Sequence, residues 1–452
     1  MNLRCTVNPY IPVTNQRHLV YALLEIEPGP DAAAQITTTT APLNVGLVVD
    51  ASESMSIPIL SDQQFRELSA KGMAKQKIVD GVSVWQFEVP RGFKIEAPSN
   101  LDFTIQALHA VAGRLRPEDH FSLVAFAEDA LLMVPNTSGS NVDLLRQAAK
   151  RLQQIDLGDE TFMARGMEQC LKQVGVNAAA DIVSRMVVLT DGYTKDSAGC
   201  REWVTQAQAE GVTVSTMGLG LDFNEELLID LAEASGGHSY FIQDPADIPD
   251  AFAEELSAAQ SVYWRDLTLT LTLPTDVVLR RAHRASPTIA HIAANPDKIS
   301  LGDLEVQQPP AVLLELVVPP RPVGSYRLAQ ATLRARAPSA SLQDVAQEDL
   351  LIRYTERPSE AQQTHPELMA AVQRVSAFKL QGQAIEEARQ GNIAGATRRL
   401  RRAGEHLIEM GQKDLGQTML SEASKIEKDG KMSSEGTKKL RYGTRKLTRP
   451  KK

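Results

Sequence analysis

The sequence has little cysteine and no long apolar run. Cysteine occurs three times in 452 residues, at Cys5, Cys170 and Cys200, which is too few for a disulfide framework, and the spacing is not that of metal ligands. No stretch approaches the roughly 20 apolar residues that cross a bilayer. Pro9 and Pro12 fall where a signal peptide would have its apolar core. We therefore predict a protein without a membrane span in a reducing compartment, the cytoplasm.

The composition also lacks the excesses that mark disordered, fibrous or nucleic-acid-binding chains. Hydrophobic residues make up 43% and charged residues 23% of the sequence, as in ordinary globular proteins. The formal net charge is −8, but residues 425–452 contain eleven Lys or Arg against three acids. This surplus of eight positive charges leaves −16 for the rest of the chain. An acidic body argues against a nucleic-acid partner.

Short apolar runs alternate with amphipathic helical patterns between residues 41 and 261. The runs are Leu43–Val49, Phe121–Phe126, Met186–Leu189 and Val212–Leu219, which are mainly apolar with at most three polar residues each. Such runs are typical of strands covered on both faces. We predict an α/β domain over residues 41–261 with a doubly wound, mostly parallel sheet.

The flanking segments have a different pattern. Leu267–Leu273 alternates apolar and polar residues, as a strand with one solvated face does. We predict a β-sandwich over 262–357, completed by strands from residues 1–40, so that the α/β domain is inserted in it. Apolar stripes with helical spacing predict a small α-helical bundle over 366–428. Residues 429–452 have few apolar side chains and are predicted to be disordered.

Carboxylate and hydroxyl side chains gather where the predicted strands end. Asp50, Ser52 and Ser54 follow the first strand of the α/β domain, Asp191 follows a later one, and Thr161 precedes a helix. Ligands of doubly wound sheets bind beyond the carboxyl ends of the strands, so we expect one crevice to hold all five. Hard oxygen donors suit Mg²⁺, with Mn²⁺ or Ca²⁺ as alternatives, and suit Zn²⁺ poorly without His or Cys. Two carboxylates leave such a cation able to accept an external carboxylate.

The same positions resemble a known site, the metal-ion-dependent adhesion site (MIDAS) of von Willebrand factor A (VWA) domains. The matching residues are Asp50-x-Ser52-x-Ser54, Thr161 and Asp191-Gly192. The resemblance covers roughly residues 43–260, and the flanking pattern is similar to bacterial VWA proteins with a surrounding β-sandwich. It implies direct metal contacts from both serines, and direct or water-mediated contacts from the threonine and the aspartates. It also implies protein partners such as MoxR-type AAA ATPases or kinase-linked signalling proteins.

Extra carboxylates distinguish this sequence from the family pattern. Glu53 stands in the first motif where a small glycine is frequent, and Asp159 and Glu160 precede Thr161. These side chains either strengthen cation binding, supply an internal ligand or contact a partner, or they simply point to solvent. Both interpretations stay open from the sequence.

An insertion also distinguishes the sequence from a compact VWA domain. Residues 56–100 follow the first motif directly, so the insertion must emerge at the metal face. We predict a short helix and then a hairpin of Val82–Val89 and Phe93–Ile95, with Trp85 and Phe87 available to a partner. The alternative is a self-packed lobe without a role in binding.

The C-terminal segment carries a separate hypothesis. Thr444 and Thr448 lie among cations in a segment predicted to be flexible, where phosphorylation would create an anion for a phosphothreonine-reading partner. The alternative is a solvated basic tail.

Together these patterns predict a divalent-cation-dependent protein-binding module rather than an enzyme. A metal-dependent hydrolase is the alternative, but the motif loops contain no His, and only Glu53 or Glu160 could serve as a general base. A scaffold whose metal staples loops together is a further alternative.

Overall fold

The structure is a computed structural model in which the described residues are 1–29, 41–79, 82–87, 96–179, 181–306, 308–336 and 342–447. Within the segments 74–79 and 82–87 only the backbone is described. The chain begins with three strands, β1 (Asn2–Val7), β2 (Tyr10–Pro12) and β3 (His18–Glu27).

The α/β domain follows these strands. Its strands are β4 (Leu43–Asp50), β5 (Ala74–Val79), β6 (Val82–Phe87), β7 (His120–Phe126), β8 (Ala130–Ser138), β9 (Val183–Thr190), β10 (Val212–Leu219) and β11 (Ser239–Ile242). Its helices are α1 (Asp62–Ala70), α2 (Asn100–Ala112), α3 (Val142–Arg151), α4 (Met163–Gly175), α5 (Ser197–Ala209), α6 (Glu225–Ser235) and α7 (Ile248–Gln260).

The main sheet of this domain has the order β11-β10-β9-β4-β7-β8. All neighbouring strands are parallel except β8, which runs antiparallel to β7 at the edge. Leu47 and Val49 of β4 belong to the cluster that contains Phe252 of α7, whereas Val48 belongs to the cluster that contains Met167 of α4. Successive side chains of a strand point to opposite faces, so a sheet covered by helices on both sides requires a continuously apolar strand. The predicted doubly wound sheet is confirmed.

The insertion differs from its prediction. The helix ends at Ala70, where Gly72 adopts a left-handed backbone (φ +70) that glycine tolerates without a steric cost. The hairpin then pairs β5 with β6 in antiparallel register, so its first strand comes earlier than predicted. The two strands are separated by Asp80-Gly81, a dipeptide typical of two-residue hairpin connections. The predicted strand Phe93–Ile95 lies outside the described residues.

The chain then forms two five-stranded sheets. The new strands are β12 (Val262–Thr272), β13 (Val278–Ser286), β14 (Ala290–Ile292), β15 (Ile299–Glu305), β16 (Ala311–Val318), β17 (Gly324–Arg336) and β18 (Leu342–Thr355). The sheet orders are β1-β3-β16-β13-β14 and β15-β12-β17-β18-β2. Leu24 of β3 and Leu314 of β16 share one hydrophobic cluster with Leu269 of β12 and Leu333 of β17. The sheets therefore pack face to face as a β-sandwich, which the chain leaves after β3 and re-enters at β12.

Helices complete the fold. They are α8 (Pro358–Ala361), α9 (Pro366–Arg389), α10 (Ile393–Glu409), α11 (Lys413–Asp429) and α12 (Ser434–Arg445). The predicted bundle is confirmed in α9 to α11. Gly391 and Gly411 have left-handed backbones between these helices. Leu400 and Leu407 of the bundle pack in one cluster with Leu313 of β16. No helix in the described ranges has both the length and the apolar character to cross a membrane.

The prediction of a disordered C-terminal segment is wrong over the residues of α12. The helix begins after Ser433, whose hydroxyl accepts a hydrogen bond from the Gly436 amide, and Leu440 and Tyr442 are buried. Residues 448–452 lie outside the described residues.

Charge complementarity between α12 and α6 explains this error. The Lys438 ammonium is buried, lies 3.1 Å from the Glu225 carboxylate and sits over the Phe223 ring. Arg445 pairs with Glu233 at 3.0 Å. A low apolar content favours disorder only when the charges have no partner, and here the acidic face of α6 supplies the partners.

Candidate functional site

The first predicted carboxylate is buried at the carboxyl end of the central strand β4. Asp50 is 0% exposed. Its Oδ1 accepts hydrogen bonds from the Ser52 amide at 3.0 Å and from Ser52 Oγ at 2.6 Å. Its Oδ2 accepts from Thr190 Oγ1 at 2.6 Å. Because β4 and β9 run parallel, Thr190 reaches the same edge of the sheet as Asp50.

The second carboxylate follows β9 and closes a chain of hydrogen bonds. Asp191 Oδ1 accepts from Ser54 Oγ at 2.6 Å, and Oδ2 accepts from Asn100 Nδ2 at 3.0 Å. The Oγ atoms of Ser52 and Ser54 lie 3.1 Å apart. Asp50, Ser52, Ser54 and Asp191, four of the five predicted residues, therefore meet at one site.

The fifth predicted residue, Thr161, lies beside this chain. It is 6% exposed, and its carbonyl accepts from Thr194 Oγ1 and from the Lys195 amide, which fixes its loop against the one after β9. A Cβ placed on Gly192 would stand 3.2 Å from Thr161 Oγ1. The glycine that follows Asp191 therefore leaves room for the Thr161 side chain beside the loop after β9.

Among the described residues, no cationic side chain pairs with either carboxylate of the site. Burial and the charge of Asp191 raise the pKa of Asp50 to about 6. Burial also raises the pKa of Asp191. Within the described part of the chain, the hydrogen-bond partners of both groups are neutral hydroxyls and amides. The two carboxylates thus lie close together, and no cationic side chain of the described segments balances their charge.

The donor set is one for a hard cation. Across the described residues, no group of three or more His, Cys, Asp or Glu is arranged to hold a metal, so a site rich in nitrogen or sulfur is not found there. At the carboxyl edge of the sheet, two of the candidate ligands are carboxylates and the others are hydroxyls. Ser52 and Ser54 carry one proton each, and each donates it to a carboxylate at 2.6 Å. The two serine oxygens lie 3.1 Å apart, close enough for both to contact one cation.

The predicted partner-binding residues Glu53, Glu160, Trp85 and Phe87 have different outcomes. Glu53 is exposed in a short 3₁₀ turn. Glu160 is also exposed and forms an ion pair with Lys195 at 3.2 Å. Trp85 and Phe87 fall in β6, where side chains are not described, so their contact with a partner stays a prediction.

The predicted phosphorylation site does not fit the structure at Thr444. This residue is 0% exposed, and its hydroxyl donates to the Leu440 carbonyl within α12 or to Gln381 Oε1 of α9. The prediction of an accessible hydroxyl is wrong here because the segment is helical and packed. Thr448 lies outside the described residues.

Two residues of the site were missed by the sequence reasoning. Thr190 contacts Asp50, and its position next to Asp191 at the end of a strand could have indicated it. Asn100 contacts Asp191 from the first turn of α2. No spacing signal could have indicated Asn100, because the insertion separates it from the first motif.

Comparisons with known proteins bear on the α/β domain, on the C-terminal helices and on the whole fold. The sequence matches the family von Willebrand factor type A domain over residues 96–254, and the family Sll0103-like, C-terminal alpha-helical domain over residues 366–450. The first match begins at residue 96, near the end of the insertion, so Asp50, Ser52 and Ser54 lie outside it. The Synechocystis protein sll0103 is 21% identical over 350 residues, which covers 75% of this chain and 81% of that protein.

Two solved structures share the whole architecture. A von Willebrand factor type A protein from Catenulispora acidiphila superposes with a TM-score of 0.74 at 15% identity, covering 99% of this chain and 97% of that chain. The ArnB paralog VWA2 from Sulfolobus acidocaldarius has a TM-score of 0.55 at 15% identity, covering 98% and 97%. At such identities these likenesses establish the fold alone. The chain therefore contains a von Willebrand factor A domain and ends in a helical domain of the Sll0103 type.

Proposed function

We propose that the protein is a non-enzymatic binding module that holds a divalent cation at Asp50, Ser52, Ser54, Thr161 and Asp191. The observation that carries the proposal is the continuous chain of hydrogen bonds from Asp50 through both serines to Asp191, with two buried carboxylates and no protein cation among their described partners. When bound, the cation supplies a Lewis-acidic position that an external carboxylate can occupy.

Mg²⁺ is the proposed cation, with Mn²⁺ or Ca²⁺ as alternatives. All the donors are carboxylate or hydroxyl oxygens, which hard cations prefer. The site's described partners include no His or Cys, so the donor set disfavours Zn²⁺.

The partner is proposed to present an Asp or Glu. Asp50 is fully buried, whereas Ser54 is exposed, so the site opens to solvent on the Ser54 side. Three large apolar side chains near the motifs are exposed, Ile57 at 56%, Ile59 at 38% and Tyr193 at 56%. A partner acid flanked by apolar residues would place its carboxylate at the cation and its neighbours on this rim.

The cellular setting belongs to the same proposal. Resemblance favours a bacterial cytoplasmic assembly with an AAA ATPase or a kinase-linked signalling protein as partner. The three cysteines are all free, which supports a reducing compartment. Hydrolysis has no comparable support, because Glu160, one of two candidate general bases, is engaged with Lys195.

Calorimetry and a pull-down test the proposal on the full chain. Wild-type protein is expected to bind Mg²⁺ saturably, and Asp191→Asn is expected to lose this binding, because its amide cannot replace the carboxylate charge. Asp129→Asn is the matched control, since Asp129 is an exposed acid after β7 at the same edge of the sheet.

The pull-down compares native lysate with Mg²⁺ and after metal depletion. Partners retained only with Mg²⁺, by wild type and Asp129→Asn but not by Asp191→Asn, support a binding module. Metal-dependent turnover of phosphoester or peptide substrates would instead favour a hydrolase. Partners unaffected by metal would favour a structural role for the cation.

A further inference from the structure

A cavity of about 360 Å³ lies where the α/β domain, the β-sandwich and the helical domain meet. We call it the junction cavity. Residues of α6, β13, β14, α9 and α12 line it. It is separate from the metal site, since none of the metal-site residues lines it.

Positive charge dominates the wall of this cavity. Five of its lining side chains are cationic and two are carboxylates. The cations are Arg281, Lys379, Arg389, Arg441 and Arg445, and the carboxylates are Glu226 and Glu386.

Acids behind the wall compensate these cations incompletely on the sandwich side. Glu315 is 1% exposed and serves two cations, Lys379 at 2.6 Å and Arg281 at 3.8 Å. One carboxylate shared by two cations leaves one positive charge without a counter-charge. A ligand in the cavity can reach both cations, because both side chains line its wall.

On the α6 side the acids balance the cations more closely, because Glu386 also acts on Arg389. Glu226 accepts from Arg389 at 2.6 Å and from Arg441 at 3.4 Å. Arg441 also approaches Glu225 at 3.7 Å, but that carboxylate is already the partner of the buried Lys438. Arg445, by contrast, has its own partner in Glu233.

Two buried polar side chains in the wall also have unused hydrogen-bonding atoms. Gln381 is 1% exposed; its Oε1 can accept from Thr444, while its Nε2 has no partner among the described residues. His283 is 2% exposed, and its Nδ1 likewise lacks a partner there. Buried polar atoms are normally satisfied, so each of these side chains still has a hydrogen-bonding atom to offer, although that atom lies behind the cavity surface.

We propose that the junction cavity binds a small molecule through phosphate or carboxylate oxyanion groups. Guanidinium groups match the geometry of both oxyanions, and the volume falls within the range of small-molecule sites, about 300–1,000 Å³. Phe378 and Ile385 provide an apolar part of the wall for the carbon skeleton. Because the cations come from the sandwich and from two helices, an occupant would tie the three domains together.

Gly382 offers a way to fill the cavity without disturbing the fold. It lies in α9, lines the cavity, and a Cβ built on it meets no heavy atom within 4 Å. Gly382→Glu places a carboxylate among the cations and is expected to weaken anion binding by about tenfold or more. Gly382→Ala is the matched control, since it makes the same gain in helix propensity but leaves the cavity open.

The probes are inorganic phosphate, pyrophosphate and succinate, titrated calorimetrically into the full chain at fixed ionic strength. Metal is removed with a chelating resin, because EDTA is itself a polycarboxylate and would compete. Arg389→Gln provides a second variant at a half-exposed position and is expected to weaken binding by about tenfold. Circular dichroism establishes that each variant is folded.

Saturable binding of a probe that Gly382→Glu and Arg389→Gln weaken, and Gly382→Ala retains, supports the proposal. Tighter binding of the phosphates than of succinate assigns a phosphate-bearing ligand, and the reverse order assigns a carboxylate. No saturable binding at millimolar probe overturns the proposal. Binding that Gly382→Glu leaves unchanged also overturns it, because the anion then binds elsewhere.

Discussion

The two ends of the parallel sheet contain buried acids in opposite settings. At the carboxyl end, the described hydrogen-bond partners of Asp50 and Asp191 are hydroxyls and amides. At the amino end, Glu255 of α7 is 2% exposed and accepts hydrogen bonds from Arg185 at 2.8 Å and from Ser215 Oγ at 2.7 Å. One end thus concentrates charge, and the other neutralises it.

The amino end also joins the α/β domain to the sandwich. Glu305 of β15 lies 3.4 Å from Arg185 and 3.6 Å from His238, which itself lies 3.1 Å from Glu255. Burial alone would raise the pKa of Glu255, but Arg185 and His238 hold it well below its usual range. Compensated charges make a rigid joint, whereas the uncompensated pair at the other end is available to a ligand.

The largest expected effect comes from breaking the compensated end. Arg185→Met leaves Glu255 and Glu305 as buried carboxylates without their arginine, which is expected to lower the free energy of unfolding by about 3–5 kcal/mol. Urea denaturation measures the change. Arg201→Met removes an arginine from an exposed pair with Asp230 and is expected to cost at most about 1 kcal/mol. Equal losses in the two variants would contradict the role of the buried network.

Metal should stabilise the uncompensated end. At a free Mg²⁺ concentration about a hundredfold above Kd, the free energy of unfolding of wild type is expected to rise by about 2.7 kcal/mol. Asp191→Asn should show no such rise, whereas Asp129→Asn should retain it. The measurement is urea denaturation with and without Mg²⁺. A rise of the same size in Asp191→Asn would place the cation elsewhere.

A smaller effect concerns pH at the compensated end. Burial lowers the pKa of His238, but Glu305 and Glu255 outweigh it, and the pKa is raised overall. Protonated His238 therefore adds to the free energy of unfolding. This contribution is complete below the ordinary histidine pKa of about 6.5 and is lost as the pH rises through the higher pKa of the folded state.

The pH effect is measured as the difference in unfolding free energy between wild type and His238→Gln across that window, without metal. This difference should shrink as the pH rises. Tyr240, whose hydroxyl donates to Glu255, and Arg185 are the other ionisable groups around the ring, and both keep their charge state in this range. His406→Gln, at a position near the surface, is the control for losing a histidine outside this network.

The smallest effect tests the packing beside Thr161. Gly192→Ala puts a methyl group 3.2 Å from Thr161 Oγ1, so Mg²⁺ affinity should fall by a few-fold in calorimetry while stability changes little. Gly175→Ala is the control, because its methyl group would meet only an ordinary contact at 3.7 Å. An unchanged Mg²⁺ affinity in Gly192→Ala would show that Thr161 does not contribute to metal binding.

The sheet and the core of the candidate site could be predicted from the sequence for related reasons. Parallel strands covered on both faces must be continuously apolar, so a polar residue at the end of such a run marks the edge of the sheet. Asp50 and Asp191 stand at such ends, and the parallel pairing of β4 with β9 brings them together.

The remaining features depend on long-range contacts that no local pattern contains. Asn100 reaches Asp191 from across the insertion, and the hairpin pairs β5 with β6 rather than the predicted segments. The helix α12 was missed because it is held by ion pairs with α6 rather than by an apolar stripe. Its net positive charge was visible in the sequence, but the acidic partner Glu225 lies more than 200 positions away.

The insertion of one domain in another sets an order of events during synthesis. Strand β3 is an inner strand of its sheet, and its neighbour β16 pairs Val312 with Leu24. At about 5–20 residues per second, the ribosome needs tens of seconds to deliver that neighbour. During this interval the α/β domain can fold while the apolar side chains of β3 stay uncovered, so a nascent chain stalled before β16 would expose a surface that chaperones bind.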